Sequence, residues 1–208
     1  MIRGLKSAHL VDEINLIDSE LIFEDLFKLS GEKIKIVIVE NPAFEENPDI
    51  LVVNTETINL RENILKEKIF IDIDGKEPRI DESGRISKMW SEFMQLFRSS
   101  DNWSVKVNPE AFESSFNGPA FFGSCLDYPV VYWNSNPDRN CLNSVNLKVF
   151  KVEITEDGKT MPMYQFSVPD LKNIVENVEK IWFVKKYGNC GQRVKLTITN
   201  ADTISVTL

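Results

Sequence analysis

Three short apolar segments in the first half of the chain most constrain its fold. They are KIKIVIVE at 33–40, DILVVN at 49–54 and KIFIDID at 68–74. Each is rich in β-branched residues and ends near glycine, proline or polar residues, which is typical of strands buried within a sheet. The segment RISKMWSEFMQLF at 85–97 places its apolar side chains on one helical face, which predicts an amphipathic helix that covers a sheet.

The second half combines several strand signals with one long helix signal. The turn EDGK at 156–159 lies between two strand-like segments and predicts a β-hairpin. A helix is predicted after Pro169, with Gly188 as its C-terminal glycine. The other predicted strands are YPVVYW at 128–133, LKVFKVEI at 147–154, MYQFSV at 163–168, and the final segments RVKLTIT and TISVTL.

This order of elements predicts a mixed α+β (mixed α/β) fold. Residues 1–208 are expected to form a single globular domain, with a mixed sheet of about six to eight strands and helices packed on it. Apolar residues also recur at helical spacing over 5–29, and NPEAFESSF at 108–116 has proline in its first turn, so both segments predict helices. No sequence repeat of the kind that builds solenoids or propellers is visible.

The charge balance argues against a nucleic-acid partner. The 208 residues carry a formal net charge of −8, and nucleic-acid affinity depends on lysine and arginine that neutralise phosphates. No apolar run is long enough to span a bilayer, so no membrane partner is predicted. The three cysteines lack regular spacing and the N-terminal residues lack the apolar core of a secretory signal, so we expect a protein of the reducing cytosol or the nucleus.

Part of the chain, from Cys125 onward, resembles a known family. The resemblance is carried by Tyr128-Pro129-Val130, Asn140-Cys141-Leu142, Leu147-Lys148-Val149-Phe150 and Phe166-Ser167-Val168-Pro169. In order and spacing these segments resemble an uncharacterised eukaryotic family, that of human chromosome one open reading frame seventy-four. The resemblance implies an intracellular eukaryotic setting, and it implies no activity, substrate or catalytic residue.

One position departs from that family's pattern. The family has glycine immediately before Tyr-Pro-Val, whereas this chain has Asp127. Glycine at that position permits a left-handed backbone. Aspartate is one of the few other residues that tolerate this conformation.

Asp72 and Asp74 form an Asp-x-Asp pair at the end of the third apolar segment, followed by Gly75. The pattern is similar to the opening motif of haloacid-dehalogenase-type phosphatases, in which the first carboxylate attacks phosphorus, the second acts as acid and base, and magnesium bridges them. This chemistry needs both carboxylates beyond the carboxyl end of a parallel strand. The later paired-acid motif of that family is not visible in its expected setting, so two acids that precede a glycine turn are the alternative interpretation.

Cys125 is the second catalytic candidate. It lies in the string GSC, which is similar to the nucleophile region of cysteine proteases. A reactive thiolate needs a base or positive surroundings, and the one histidine of the chain is His9. The alternative to a Cys125–His9 dyad is a buried cysteine that packs beside Phe121, Phe122 and Tyr128.

The loop 134–143 follows the aromatic strand and is rich in asparagine and aspartate. Loops on a rigid scaffold often carry binding residues, although Asn and Asp also build turns through their own side chains. Both interpretations stay open for this loop. If it forms a site for a small molecule or a peptide, the predicted binding residues are Phe122, Tyr132, Trp133, Asp138, Arg139 and Asn140.

These features assign no biochemical activity, and whether the protein is an enzyme stays open. One histidine and three dispersed cysteines do not predict a metal site, and neither a phosphate-binding loop nor a dinucleotide motif is present. The prediction that remains is an intracellular interaction or binding module, without a cofactor, for an unidentified protein or small ligand. The alternative is a magnesium-dependent phosphohydrolase-like enzyme that uses Asp72 and Asp74.

Overall fold

The computed structural model describes residues 8–11, 23–25, 28–31, 33–40, 48–60, 64–136 and 141–201. Within these ranges, strands and helices combine in a mixed α+β fold, which confirms the predicted class. The described strands lie in one sheet of four and two sheets of three, so each sheet is smaller than the predicted mixed sheet. The chain divides into two compact units, 1–66 with 83–127 and 67–82 with 128–208.

The first unit contains the four-stranded sheet. Its strands are Ala8–Val11 (β1), Ile34–Val39 (β2), Asp49–Asn54 (β3) and Ser104–Val107 (β6). Their spatial order is β1-β3-β2-β6. β3 pairs antiparallel with β1 and with β2, whereas β6 pairs parallel with β2. The last four residues of β2 are buried without alternation, as expected for an apolar strand inside a sheet.

The first unit contains helices at Thr55–Leu60 (α1), Arg85–Ser99 (α2) and Gly118–Cys125 (α3). Helices α2 and α3 share an aromatic core. α2 is the predicted amphipathic helix. Its Phe93 packs edge-on against Phe121 of α3, with ring centroids 4.9 Å apart. The buried face of α2 consists of Ile86, Met89, Trp90, Phe93, Met94 and Phe97.

The second unit contains both three-stranded sheets. One has the order β5-β4-β7, with β4 at Ile69–Asp72, β5 at Arg79–Ile80 and β7 at Val130–Trp133. The other has the order β10-β8-β9, with β8 at Leu147–Glu156, β9 at Lys159–Pro169 and β10 at Val194–Asn200. β4 pairs parallel with β7, and the remaining pairs are antiparallel.

A helical segment packs on β9 through its aromatic residues. It runs through Lys172–Glu176 (α4), a π-helical stretch at Asn177–Phe183, and Val184–Tyr187 (α5). The Trp182 ring packs edge-on against Tyr164 and Phe166, with centroids 5.9 and 5.7 Å away. The Lys186 ammonium lies 4.8 Å from the centroid of Tyr164, which adds a cation–π contact to this core.

Several sequence predictions are corrected by these elements. Helical spacing predicted a helix over 5–29. Residues 23–25 and 28–29 are helical, whereas Ala8–Val11 is a strand that pairs with β3 and buries Ala8 completely. Within 108–116, only Pro109–Ala111 form a 3₁₀ turn, since Phe112 is already extended. The predicted C-terminal glycine, Gly188, has an ordinary helical φ of −55°, and the glycine with a positive φ, of 59°, is Gly191.

Other predictions are confirmed or lie outside the described residues. The hairpin predicted at EDGK turns at Asp157 and Gly158, with φ of 51° and 76°, the two left-handed residues that such a tight turn requires. The strand predicted from TISVTL lies outside the described residues. That the two units together form the single domain predicted over 1–208 stays a prediction.

Asp127 has the backbone conformation that the glycine of the resembled family suggested. It follows α3, has a φ of 64° and is almost completely buried. A left-handed backbone costs most L-residues about 1–2 kcal/mol, whereas Asp and Asn tolerate it better. Asp127 therefore adopts a left-handed backbone that few residues other than glycine tolerate.

Replacing Asp127 tests this interpretation. We expect Asp127→Val to lower the free energy of unfolding by about 2 kcal/mol more than Asp127→Asn does, because a β-branched residue is disfavoured at positive φ whereas asparagine is not. Urea unfolding of both variants, followed by tryptophan fluorescence, measures the difference. Equal unfolding midpoints for the two variants would show that the backbone angle contributes nothing to stability.

Candidate functional site

The carboxyl ends of the parallel strands β4 and β7 form a polar edge in the second unit. Asp72 is the last residue of β4 and lies opposite Trp133, the last residue of β7. Beyond these ends the Ile73 N–H donates to the Trp133 carbonyl at 3.1 Å, and the Cys141 N–H donates to the Ile73 carbonyl at 3.4 Å. Both ends of the loop 134–143 are thereby held beside the Asp-x-Asp pair.

The two carboxylates of that pair organise the backbone around them. The Asp74 N–H donates to Oδ1 of Asp72 at 2.8 Å, and the Ser135 N–H donates to Oδ1 of Asp74 at 2.7 Å. Both aspartates are partly exposed. Such hydrogen bonds fix the position of a carboxylate. The edge therefore presents two oriented carboxylates to solvent.

The start of the loop is held by further side-chain contacts. The indole N–H of Trp133 donates to the Ser135 hydroxyl at 2.8 Å, and the Asn136 N–H donates to Oδ1 of Asn134 at 3.1 Å. Trp133 and Asn134 are buried, with 5% and 8% of their surface exposed. In the described structure Trp133 is thus a buried support of Ser135, and its predicted role as a wall of a binding site stays a prediction.

Cys141 lies at the far end of the loop, close to several acidic groups. Burial raises the pKa of the Cys141 thiol, and the carboxylates of Asp72, Asp74 and Glu77 raise it further, while a backbone hydrogen bond lowers it. The thiol is therefore kept protonated at neutral pH and is a poor nucleophile.

Tyr132 connects this edge to the neighbouring sheet. Its hydroxyl donates to the Ser167 carbonyl of β9 at 2.7 Å. Burial raises the pKa of Tyr132 far above its ordinary value, and the charge of a Cys141 thiolate would raise it further. Tyr132 is therefore a neutral hydrogen-bond donor that fixes β7 against β9.

The remaining predicted binding residues are Asp138, Arg139, Asn140 and Phe122. Asp138, Arg139 and Asn140 lie outside the described residues. Phe122 belongs to α3 of the first unit and packs against Phe121, with ring centroids 5.5 Å apart. The structure thus brings Asp72, Asp74, Tyr132 and Trp133 together at the polar edge.

The burial of Cys125 bears on the hypothesis that this residue is a catalytic nucleophile. Cys125 lies in α3 with no exposed surface, and none of the three cysteines, all of which are described, forms a disulfide. His9 is exposed on β1. Burial in an apolar helix agrees with the alternative that Cys125 is a packing residue, and its catalytic role stays a prediction that the structure does not favour.

Three residues of the edge were missed by sequence reasoning: Ser135, Cys141 and Glu77. Ser135 and Cys141 were inside the predicted loop, but no pattern linked them to the Asp-x-Asp pair, because the link is made by strand pairing between distant segments. Glu77 follows that pair after the Gly75 turn, and the run Asp-x-Asp-Gly-x-Glu was a signal that could have found it. In the part of the chain that the structure describes, no group of three or more His, Cys, Asp or Glu side chains is arranged to hold a metal ion.

The fold and the polar edge define a mixed α+β protein with an acidic site candidate at the end of a parallel strand pair. The chain belongs to the family described as Domain of unknown function (DUF4504), whose model matches residues 1–198. No curated protein and no solved structure matches the chain. None of the helices formed by the described residues has the length and apolar character needed to cross a membrane.

Proposed function

We propose that the protein is a binding module whose ligand site is the carboxyl end of the β4–β7 pair. One contact carries this proposal, the hydrogen bond from the Ser135 N–H to Asp74 at 2.7 Å. It joins the Asp-x-Asp pair to the loop 134–143, which were two separate candidates in the sequence. In open sheets with parallel strands, ligands bind where loops leave the carboxyl ends of the strands.

The charge of the edge favours a ligand with a positive charge or several hydrogen-bond donors. Asp72 and Asp74 accept hydrogen bonds from backbone N–H groups, and Glu77 follows them closely in the sequence. An ionised carboxylate accepts hydrogen bonds at both oxygens. Acceptors that are already fixed lose little entropy when they bind, which suits recognition of an amine or guanidinium group.

The sequence resemblance in the second half of the chain supports kinship with one particular uncharacterised family. We infer that the protein is related to the eukaryotic family of human chromosome one open reading frame seventy-four, and that it acts inside the cell. The left-handed Asp127, at φ 64°, fits this kinship because the resembled family has glycine there.

A magnesium-dependent phosphohydrolase is the second candidate, and the direction of β4 favours it. This chemistry needs its paired carboxylates at the carboxyl end of a parallel strand, and β4 is parallel to β7 and ends at Asp72. Magnesium also prefers carboxylate oxygens and retains several waters when it is bound by few protein ligands. Under this alternative, Asp72 is the nucleophile and Asp74 the acid and base.

Isosteric variants of the two aspartates test the proposed function. Asp72→Asn and Asp74→Asn remove one negative charge each but keep the side-chain oxygen that accepts the backbone N–H. We expect agmatine, spermidine or arginine amide to raise the thermal midpoint of the wild-type protein, and both variants to lose this rise. At a hundred times its dissociation constant, a ligand stabilises a protein by about 2.7 kcal/mol, which thermal-shift measurements detect.

Asp157→Asn is the matched control for charge. It removes the same charge at the turn of the β8–β9 hairpin, where asparagine also tolerates the φ of 51°, and it should respond to amines as the wild type does. The proposal fails if no amine shifts the wild type or if all three variants lose the shift equally. A rise with magnesium that Asp72→Asn abolishes, together with hydrolysis of p-nitrophenyl phosphate, supports the second candidate instead.

A further inference from the structure

We propose that the outer edge of β10 pairs with the same edge of a second copy of this chain. In the sheet β10-β8-β9, β10 and β9 are the edge strands among the described residues. An exposed edge is a template for pairing with another strand unless its backbone groups are blocked. Such blocks are present at the β9 edge but not at the β10 edge within Val194–Asn200, and the proposal rests on this difference.

The β9 edge is blocked at several positions. Pro162 and Pro169 have no N–H to donate, and the Ser167 carbonyl already accepts the Tyr132 hydroxyl at 2.7 Å. A shift in register between Val152 and Glu153 of β8 also interrupts the regular ladder with β9. Proline and bulges are the features that natural sheets use to prevent pairing at an edge.

The β10 edge has none of these features within Val194–Asn200. One hydrogen bond shows which residues of β10 direct their backbone groups toward β8: the Ala201 N–H donates to the Leu147 carbonyl at 3.0 Å. Because alternate residues of an antiparallel strand face the same neighbour, the N–H and carbonyl groups of Thr197 and Thr199 face β8. Those of Leu196 and Ile198 therefore face outward, and both residues have partly exposed side chains.

The sequence of β10 is compatible with antiparallel pairing with itself. A two-fold axis at Thr197 places Thr197 opposite Thr197 of the second copy and Leu196 opposite Ile198. The one charged residue of the strand, Lys195, then faces Thr199, so no like charges oppose each other. Threonine pairs and aliphatic pairs are favourable across strands, and the partly exposed Leu196 and Ile198 become covered.

Charge variants at the axis test the proposal in the full chain. We expect the wild-type mass, measured by light scattering after size-exclusion chromatography, to rise with concentration toward twice 23.9 kDa. Thr197→Lys and Thr197→Glu each oppose two like charges and should weaken the dimer about fivefold or more. An equal mixture of the two variants should restore dimerisation, because it opposes unlike charges.

The control variants are Gln165→Lys and Gln165→Glu. Gln165 lies opposite Lys151 on β9, as Thr197 does on β10, so these variants meet the same intrachain neighbour at the other edge. They should dimerise as the wild type does, and far-UV circular dichroism checks that every variant folds. The proposal is overturned if the wild type stays monomeric at all concentrations, as it would if another segment of the chain covered β10. It is also overturned by a dimer that Thr197 variants do not weaken or that their mixture does not restore.

Discussion

Replacing Phe93 with alanine is expected to lower the free energy of unfolding by about 3–5 kcal/mol, the usual cost of removing a fully buried aromatic ring. Phe93 has no exposed surface. Its ring lies 5.3 Å from Trp90, 5.5 Å from Phe97 and 4.9 Å from Phe121, measured between centroids. The cavity would lie between α2 and α3, because the contact of Phe93 with Phe121 joins the two helices. Urea unfolding followed by tryptophan fluorescence measures the loss.

Leu96→Ala is the matched control on the same helix. Leu96 is 38% exposed, so its truncation removes little buried surface and should cost less than about 1 kcal/mol. If Phe93→Ala costs no more than Leu96→Ala, the aromatic cluster is not the core of the first unit.

Replacing Lys35 is expected to have the next largest effect on the free energy of unfolding. Its ammonium donates to the Phe97 carbonyl at 3.2 Å and to the Ser100 carbonyl, and it lies 5.2 Å from the centroid of the Phe97 ring. These carbonyls are at the C-terminal end of α2, where a helix favours a positive charge. We expect Lys35→Met to cost about 2 kcal/mol, because methionine keeps the apolar stem but leaves the carbonyls without the charge.

Lys33→Met is the control for the loss of a lysine from the same segment. Lys33 forms an exposed ion pair with Glu56 at 3.2 Å, and exposed pairs contribute at most about 1 kcal/mol. The unfolding midpoint of Lys33→Met should therefore lie close to that of the wild type. Equal losses in the two variants would contradict the role of Lys35 at the end of α2.

The elements that were predicted well are those whose sequence pattern is decided by local physics. Helix α2 carries six buried side chains at helical spacing, and β2, β3 and β4 are apolar runs with clear stops. The hairpin turn at 156–159 needed two left-handed residues, and Asp-Gly supplies them. Each of these segments contains both its periodicity and its boundaries, so a single sequence is sufficient to identify it.

The failures occurred where distant segments decide the outcome. β1 has helical spacing in its sequence but pairs with β3, and the division into three sheets depends on which strands meet. Helix α3 contains two glycines and a proline, and it was not predicted because it is stabilised by packing against α2 through Phe121. Tertiary contacts override local propensity in such segments.

The candidate site was predicted in its parts but not as a whole. The Asp-x-Asp pair and the loop 134–143 were both recognised from residue types. Their junction depends on the parallel pairing of β4 with β7 and on the contact of Ser135 with Asp74. The proposed dimer edge is separate from this junction, since the Tyr132 hydroxyl contacts β9 whereas β10 lies at the other side of β8. Variants at Asp74 and Thr197 therefore test two independent proposals.

The most direct test of the proposed binding site is an NMR titration of the isotopically labelled protein with agmatine. We expect saturable shifts of the amide resonances of Asp74, Ser135 and Cys141, and their loss in Asp74→Asn. Asp157→Asn should retain them. Shifts confined to other parts of the chain, or no saturable shift at these three amides, would contradict a ligand site at the carboxyl end of β4 and β7.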